Sequence, residues 1–316
     1  MTAGAGRNEK GSKAMPTSSR RSGPDAGQPH PATARHPGEQ AGARPSGVMD
    51  RTFAILQFLA ENPQGHPISA ISRSLGIPLS ATHRTLGELA DRGFVRQNRN
   101  HGDYCLTTRL VTLAFTYLSR GGISDIAQPV LDRLAAATGE LIRLAIVDGD
   151  GLTWVAKAQG ARTGLRYDPD MGQVAMLSCS ATGIAWLASM SDDEALRRIA
   201  TQGFGGPDQF GPRAPGTEKA LLRHLRATRR QGYSVTVQTF TPWMSAMAAV
   251  VREGASGEVR GTVSIAGPAV RLTEERMHAL SPLLLEAAAE LSGACAGASI
   301  LARSGAGPAP SSSGRG

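Results

Sequence analysis

The stretch Ile68–Leu106, ISAISRSLGIPLSATHRTLGELADRGFVRQNRNHGDYCL, decides how the first part of the chain folds. Ile68, Ile71 and Leu75 recur at helical spacing, so they lie on one face of a helix. Gly76-Ile77-Pro78 then ends that helix, because glycine favours the cap conformation and proline lacks an N–H donor. The stretch therefore begins with a helix that stops at a tight turn.

A second helix and a short hairpin complete this stretch. The helix follows Ser80, which can cap it, and ends at Arg92-Gly93, and its apolar positions are Leu86, Leu89 and Ala90. The turn residues Asn100–Asp103 separate two short extended segments, Phe94–Asn98 and Tyr104–Leu106. Helix, turn, helix and hairpin is the layout of a winged helix-turn-helix DNA-binding domain, whose second helix enters the major groove.

The net charge of the 316-residue chain is +8, but half of that excess lies in residues 1–47. This segment is rich in Gly, Ala, Ser, Pro and Arg and has almost no branched aliphatic side chain, which is typical of disorder. Such a tail can add non-specific phosphate contacts, or it can be a solvated leader without a role. The rest of the chain is only mildly basic, so its charge alone does not indicate a nucleic-acid partner.

The cysteines and the hydropathy pattern indicate a cytoplasmic protein. Cys105, Cys179 and Cys295 are odd in number and far apart, so neither a disulfide framework nor a zinc pattern is available. The first thirty residues have no apolar core of a signal peptide, and no apolar run is long enough to span a membrane.

Composition and periodicity divide the chain into five segments. The strands expected after residue 123 are flanked by helices at both ends, which is typical of the α+β class. The helix predicted at Met49–Glu61 is apolar on two sides, and one of these is free for dimerisation. The segments are a disordered basic tail at 1–47, the winged helix-turn-helix domain at 48–108, a linker helix and hinge at 109–122, an α+β domain at 123–302 and a disordered tail at 303–316.

A helical projection of the second helix predicts its DNA-contacting face. It places Thr82 with the apolar side chains, Ser80, Ala81, Arg84 and Glu88 outward, and His83 and Thr85 at the edges. Arg84 can bond guanine or phosphate, although a solvated face with Arg84 paired to Glu88 is the alternative. With Ser69 as a cap of the first helix and Arg99 in the wing, the candidate DNA-binding residues are Ser69, Ser80, Ala81, His83, Arg84, Thr85 and Arg99.

Several blocks in fixed order resemble the IclR family of transcriptional regulators, from about Val48 to Ala302. They are Ile77–Leu86 (IPLSATHRTL), Asp91–Val95 (DRGFV), Gly102–Leu106 (GDYCL), Ala181–Ala188 (ATGIAWLA), Arg230–Tyr233 (RQGY), Gly261–Pro268 (GTVSIAGP) and Arg271–Thr273 (RLT). The resemblance implies an N-terminal winged helix-turn-helix domain and a C-terminal GAF-like effector-binding domain. It also implies a homodimer or homotetramer on palindromic promoter sites.

The departures from the family pattern affect both the expected DNA-binding site and the expected effector site. Leu79 stands where a basic residue is common and Ala81 where threonine is preferred, which weakens ordinary contacts at the start of the recognition helix. In the effector domain, Ile184 replaces the usual lysine, Thr236–Thr239 replaces an acidic stretch, and Trp243 replaces a glycine. Members that sense small oxo-acids tend to be polar here, so the resemblance favours an aromatic or otherwise partly apolar acid over glyoxylate or pyruvate.

The effector pocket is expected between Met171–Cys179, the start of the helix at Ala181 and the loop Gln238–Ala246. The N–H groups of that helix start, with the Ser180 and Thr182 hydroxyls, can hold a carboxylate without a dedicated arginine. The alternative is that the methionines and Trp243 only fill the core. The candidate effector-binding residues are Met176, Cys179, Ala181, Thr182, Gly183, Thr236, Trp243, Met244, Ala246 and Ser264.

No enzyme is expected. The histidines lack metal-ligand spacing, Gly149-Asp150-Gly151 is a hairpin turn without a following GKS/T, and a buried inert thiol suits Cys179 better than a nucleophile. We expect a regulator that binds double-stranded promoter DNA under control of a small organic acid, without cofactor, metal or membrane partner. The alternative is a small-molecule-binding protein whose helix-turn-helix serves protein association.

Overall fold

The N-terminal part folds as three helices, a hairpin and a fourth helix. In a computed structural model, which describes residues 45–98, 102–120, 126–169, 171–205, 209–254 and 256–294, they are α1 (Val48–Glu61), α2 (Ile68–Leu75), α3 (Leu79–Asp91), β1 (Val95–Gln97), β2 (Tyr104–Leu106) and α4 (Arg109–Arg120). The two strands pair antiparallel, with Arg96 opposite Cys105. The winged helix-turn-helix layout is therefore confirmed. Both predicted tails, apart from residues 45–47, lie outside the described residues.

A small apolar core holds α1, α2, α3 and the hairpin together. The turn between α2 and α3 contains Gly76 in the left-handed conformation, with φ +62°, and its N–H donates to the Arg73 carbonyl. The backbone of His66 bonds that of Tyr104 and so ties the start of α2 to the wing. The buried side chains of this core are Ile55, Leu59, Ile71, Ile77, Leu86, Leu89, Val95 and Tyr104.

Three details of these helices differ from prediction. Both serine caps are wrong, because Pro67 and Pro78 occupy the N-cap positions and Ser69 and Ser80 lie within the first turns without capping. Proline suits these positions since its fixed φ and extended ψ lead the chain into a helix. Ala90 is exposed rather than buried. The side chains of Ser69, Ser80 and Ala90 therefore face solvent.

The C-terminal part is an antiparallel five-stranded sheet with helices on both faces, as the α+β expectation requires. The strands lie side by side in the order β4-β3-β7-β6-β5. The elements are α5 (Gln128–Thr138), β3 (Leu141–Asp148), β4 (Gly151–Gln159), α6 (Ala181–Ala188), α7 (Asp192–Gln202), α8 (Glu218–Gln231), β5 (Ser234–Val237), β6 (Met244–Arg252), β7 (Val259–Pro268) and α9 (Glu274–Ala294). None of the helices in the described ranges is long and apolar enough to cross a membrane.

Alternation along the strands gives this sheet two apolar faces. On one face, Ile142, Leu144 and Ile265 are buried against α5 and α9. On the other, Ala145 and Trp154 are buried with side chains of α6, α7 and α8. The segment that precedes α6 packs on this second face, where the candidate effector residues lie.

Helix α6 is fully buried and is fixed at its start. Ser180 caps the helix, and its hydroxyl accepts from the Gly183 N–H and donates to the Met176 carbonyl. A Cβ atom at Gly183 would lie only 2.4 Å from the Leu177 Cα, so glycine is required for this close approach. The backbone of residues 176–180 is thereby held against the helix.

A buried carboxylate joins several segments at one end of the domain. Glu140 accepts two bonds of 2.8 Å from Arg271 and one of 3.1 Å from Arg276. The two guanidinium groups also bond the carbonyls of Leu165 and Thr138. One carboxylate therefore connects the end of α5, the start of α9 and the loop after β4.

Glu140→Gln leaves the two arginines without their anion. We expect the free energy of unfolding to fall by about 2–3 kcal/mol, less than for a fully buried pair because Arg271 and Arg276 are about a third exposed. Urea denaturation measures this change. The matched control is Glu290→Gln, which removes an exposed ion pair with Arg133 and should cost less than about 1 kcal/mol. Equal losses in the two variants would contradict the role given to Glu140.

Candidate DNA-binding and effector sites

One face of α3 is free to meet DNA. Thr82, Leu86 and Leu89 are buried, and the Thr82 hydroxyl donates to the Pro78 carbonyl. Within the described residues no ion pair joins Arg84 to Glu88, so the cation of Arg84 is not neutralised there. The exposed side chains of the helix from its start to its middle are Leu79, Ser80, His83, Arg84 and Glu88.

Two candidate DNA-binding residues do not belong to this face. Thr85 is only 5% exposed, and Ala81 is half-buried against the core. Thr85 lies three residues after Thr82 and four before Leu89, so it shares their buried side. The predicted outward or edge positions of Ala81 and Thr85 are therefore wrong. The candidates that remain exposed on α3 are Ser80, His83 and Arg84.

The other predicted contacts lie outside α3. Ser69 is exposed in the first turn of α2, and Arg96 is exposed on the wing strand β1. Arg99 and His101 fall outside the described residues. The described part of the wing thus adds one exposed cation beside the recognition helix.

The structure gathers five of the candidate effector residues into one buried cluster. They come from the segment before α6, from α6 itself and from β6. They are Met176, Cys179, Ala181, Met244 and Ala246, and their neighbours in the cluster include Tyr167, Phe210 and Phe240. We call this set of side chains the effector cluster.

Most candidate hydroxyls near the effector cluster are engaged by the backbone. Thr236 donates to the Ala246 carbonyl at 3.0 Å, and Ser264 donates to the Arg143 carbonyl at 3.3 Å. The Gly183 N–H already bonds Ser180, and Thr182 is buried. These groups stiffen the site, and their bonds must rearrange before they can serve a ligand.

Aromatic rings line one side of the effector cluster. Trp243, at 37% exposure, stacks edge-on against Tyr167 with ring centroids 5.3 Å apart. Phe240 contacts the rings of Trp154 and Phe210 at centroid distances of 6.5 and 5.9 Å. Aromatic residues are only 4% of the chain, and yet five of them meet here.

The sequence prediction misses an arginine among these rings. Arg143 on β3 is only 4% exposed, and its guanidinium carbon lies 3.8 Å from the Trp154 ring centroid and 5.7 Å from that of Tyr167. Loss of water around the guanidinium lowers the pKa of Arg143. The available signal was a single charge inside the apolar run Leu141–Val147.

A cavity of about 310 Å³ lies elsewhere in the domain, between α8, the edge strand β5 and the start of α9. Its polar lining includes His224 and Glu274, and burial together with the nearby Arg223 lowers the pKa of His224. None of the candidate effector residues lines this cavity. It is therefore separate from the effector cluster.

Comparison with known families decides the identity of the chain. The family model described as "Bacterial transcriptional regulator IclR C-terminal" matches residues 115–293, and that described as "IclR helix-turn-helix domain" matches residues 48–99. The chain belongs to the IclR family. It is a DNA-binding transcriptional regulator with a C-terminal effector-binding domain.

Curated relatives and solved structures agree with this assignment. This IclR-family protein is 28% identical to the HTH-type transcriptional repressor AllR of Escherichia coli K12 and of Salmonella typhimurium, over 81% of its own length and 92% and 91% of theirs. The Thermotoga maritima IclR structure matches 78% of this chain and 97% of its own, at 24% identity and a TM-score of 0.65. An IclR homologue from Microbacterium hydrocarbonoxydans, solved with 4-hydroxybenzoate, matches 78% and 98% at 20% identity and a TM-score of 0.65.

Cys179 in the effector cluster should resist alkylation in the folded regulator. Burial raises the pKa of its thiol to about 12, so only about one molecule in ten thousand carries the thiolate at pH 8. Iodoacetamide at pH 8, followed by peptide mass spectrometry, should leave Cys179 unmodified in native protein and modify it in urea. The variant Cys105→Ser, which removes the half-exposed thiol of the wing, serves as the control. Fast alkylation of Cys179 in the native state would show that the cluster is open.

Proposed function

We propose that the effector of this regulator is a small aromatic acid, which controls its binding to a promoter. The support is the concentration of aromatic and methionine side chains in the effector cluster, which suits a flat, partly apolar ligand. A structural relative from Microbacterium hydrocarbonoxydans was solved with 4-hydroxybenzoate, an acid of this kind. Since promoter DNA is the target, we place the regulator in the cytoplasm.

On the DNA side, we propose that Ser80, His83 and Arg84 carry the direct readout. All three are exposed on α3, where the first turns of a recognition helix meet base edges. Arg84 has the geometry to bond guanine through two nitrogens, and His83 can donate to a neighbouring base. Ser69, and Arg99 outside the described residues, stay predictions of DNA contacts.

Copies of the chain are proposed to associate as a homodimer or a homotetramer. Apolar side chains that would face one another in such an assembly are exposed on α1 and α4, where Phe53 and Tyr117 are 56% and 65% exposed. No side chain of α4 is buried within the described residues. An effector that changes the geometry of residues 109–122 would then change the spacing of the paired recognition helices and their fit to two half-sites.

A gel shift with the DNA upstream of the protein's own gene tests the regulator function. We expect a shift that disappears when residues 48–106 are deleted, and a footprint with two symmetric half-sites. The competing function is protein association through the helix-turn-helix. The absence of a shift with any neighbouring promoter would favour that function.

Arg84→Ala tests the proposed readout within that footprint. If Arg84 bonds a base, the substitution costs about 1–3 kcal/mol of binding free energy and relaxes specificity at one base pair. Fluorescence anisotropy on operators with single base changes measures both effects. The matched control is Arg223→Ala, which removes an exposed charge from α8 and should leave binding unchanged. An equal loss on every DNA sequence would reassign Arg84 to a phosphate.

Calorimetry tests the proposed effector class. We expect benzoate or 4-hydroxybenzoate to bind and to change operator affinity, whereas glyoxylate and pyruvate are too small and polar for the aromatic and methionine side chains of the cluster. Tight binding of a two- or three-carbon oxo-acid, with none of the aromatic acids, would overturn this assignment.

A further inference from the structure

Arg143 is a buried cation without a counter-ion among the residues that the structure describes. Three charged side chains are buried within the described ranges, namely Glu140, Arg143 and Arg260. Two of them have two partners of opposite charge each, which are Arg271 and Arg276 for Glu140, and Glu253 and Glu258 for Arg260. No carboxylate of the described residues lies within ion-pairing distance of Arg143. A buried charge without a counter-ion is costly, so this site is incomplete by itself.

The strand register explains why Arg143 finds no anion on the sheet. Its neighbours in the ladder are Lys157 on β4 and Ser264 on β7, which are a second cation and a neutral hydroxyl. Lys157 forms an ion pair with Asp168 at 2.7 Å, and the Asp168 carboxylate therefore neutralises Lys157 rather than Arg143. The Ser264 hydroxyl bonds the Arg143 carbonyl rather than its guanidinium.

The polar atoms that surround Arg143 are mainly hydrogen-bond donors without an acceptor. Among the described residues, Arg143 Nε and Trp154 Nε1 are buried N–H donors without an acceptor, and the Tyr167 hydroxyl, which interacts with the guanidinium, makes no hydrogen bond of full geometry. The indole and guanidinium N–H groups can only donate. A ligand that supplies two acceptor oxygens and a negative charge would satisfy this arrangement, and a carboxylate does so in the fork geometry that arginine prefers.

The surroundings of these donors limit the rest of the ligand. The ring of Trp154 lies under the guanidinium, and the rings of Tyr167, Phe240 and Trp243 continue from it toward the exposed edge of Trp243. Met176 and Met244 in the same cluster have flexible side chains that can repack around a flat molecule. Polar or branched ligands would make less favourable contacts with these aromatic and methionine side chains.

We propose that Arg143, with Trp154 and Tyr167, forms the carboxylate-binding end of the effector site and that the neighbouring rings hold the aromatic body of the acid. This inference rests on the proposed aromatic effector and assigns its anchor. It replaces the expected carboxylate site at the start of α6, where Ser180 already caps the helix. Because Arg143 is positively charged, the site should bind an acid more tightly than the corresponding neutral amide.

The test compares acid and amide on the full-length regulator by calorimetry. The probes are 4-hydroxybenzoate and 4-hydroxybenzamide, which have the same ring and differ in charge. We expect wild-type protein to prefer the acid strongly, and Arg143→Gln to weaken acid binding by at least about 30-fold while changing amide binding by less than about threefold. Arg143→Lys retains the charge without the fork and should keep part of the preference. The matched control is Arg166→Gln, an exposed arginine next to Tyr167, which should behave as wild type.

Thermal unfolding without ligand separates an anchor from a structural residue. Since no carboxylate in the described part of the chain pairs with Arg143, Arg143→Gln should unfold at the wild-type temperature or above it, whereas Glu140→Gln should unfold earlier. If Arg143→Gln does not fold, Arg143→Lys carries the binding comparison. An acid preference as strong as that of the wild type in Arg143→Gln, or in Arg143→Lys where only that variant folds, would overturn the anchor and leave the aromatic effector standing. If the wild-type protein binds neither probe, the anchor and the aromatic effector are both wrong, while the gel shift still decides the DNA-binding function.

Discussion

The close approach of Gly183 to Leu177 is the contact on which the effector domain depends. Because the helix carries no side chain at this point, the backbone of residues 176–180 lies directly against α6. Ser180 then bonds both the helix and the Met176 carbonyl. Met176 and Cys179 are thereby fixed opposite Met244 on the sheet. A larger residue at position 183 would separate the two layers and disperse the cluster.

Local sequence signals predict most of the architecture. Gly76 and Pro78 mark the turn of the helix-turn-helix, and the structure confirms this turn and the predicted helix start at Ala181. The predicted caps at Ser69 and Ser80 fail because each helix begins directly after a proline. A serine near a helix start is a weak signal when proline already provides the extended conformation.

The errors at the sites come from contacts between elements that are distant in sequence. A projection of α3 alone cannot show how much of the helix its neighbours cover, and Thr85 is buried and Ala81 half-buried in addition to the apolar stripe. Arg143 is missed for a similar reason, since an arginine in an apolar strand has meaning only when its ladder neighbours are known. The general position of the effector cluster is predictable, because its segments are short and bounded by turn residues.

Arg271 holds the loop after β4 by the backbone carbonyl of Leu165, not by a side chain. A hydrogen bond to a main-chain carbonyl does not depend on the side chain of the residue that supplies it. The side chain of Tyr167, two residues further on, can therefore change while the backbone of the loop stays anchored to Glu140 and α9. Such an arrangement lets a regulator acquire a new ligand preference by point substitutions without first rebuilding its scaffold.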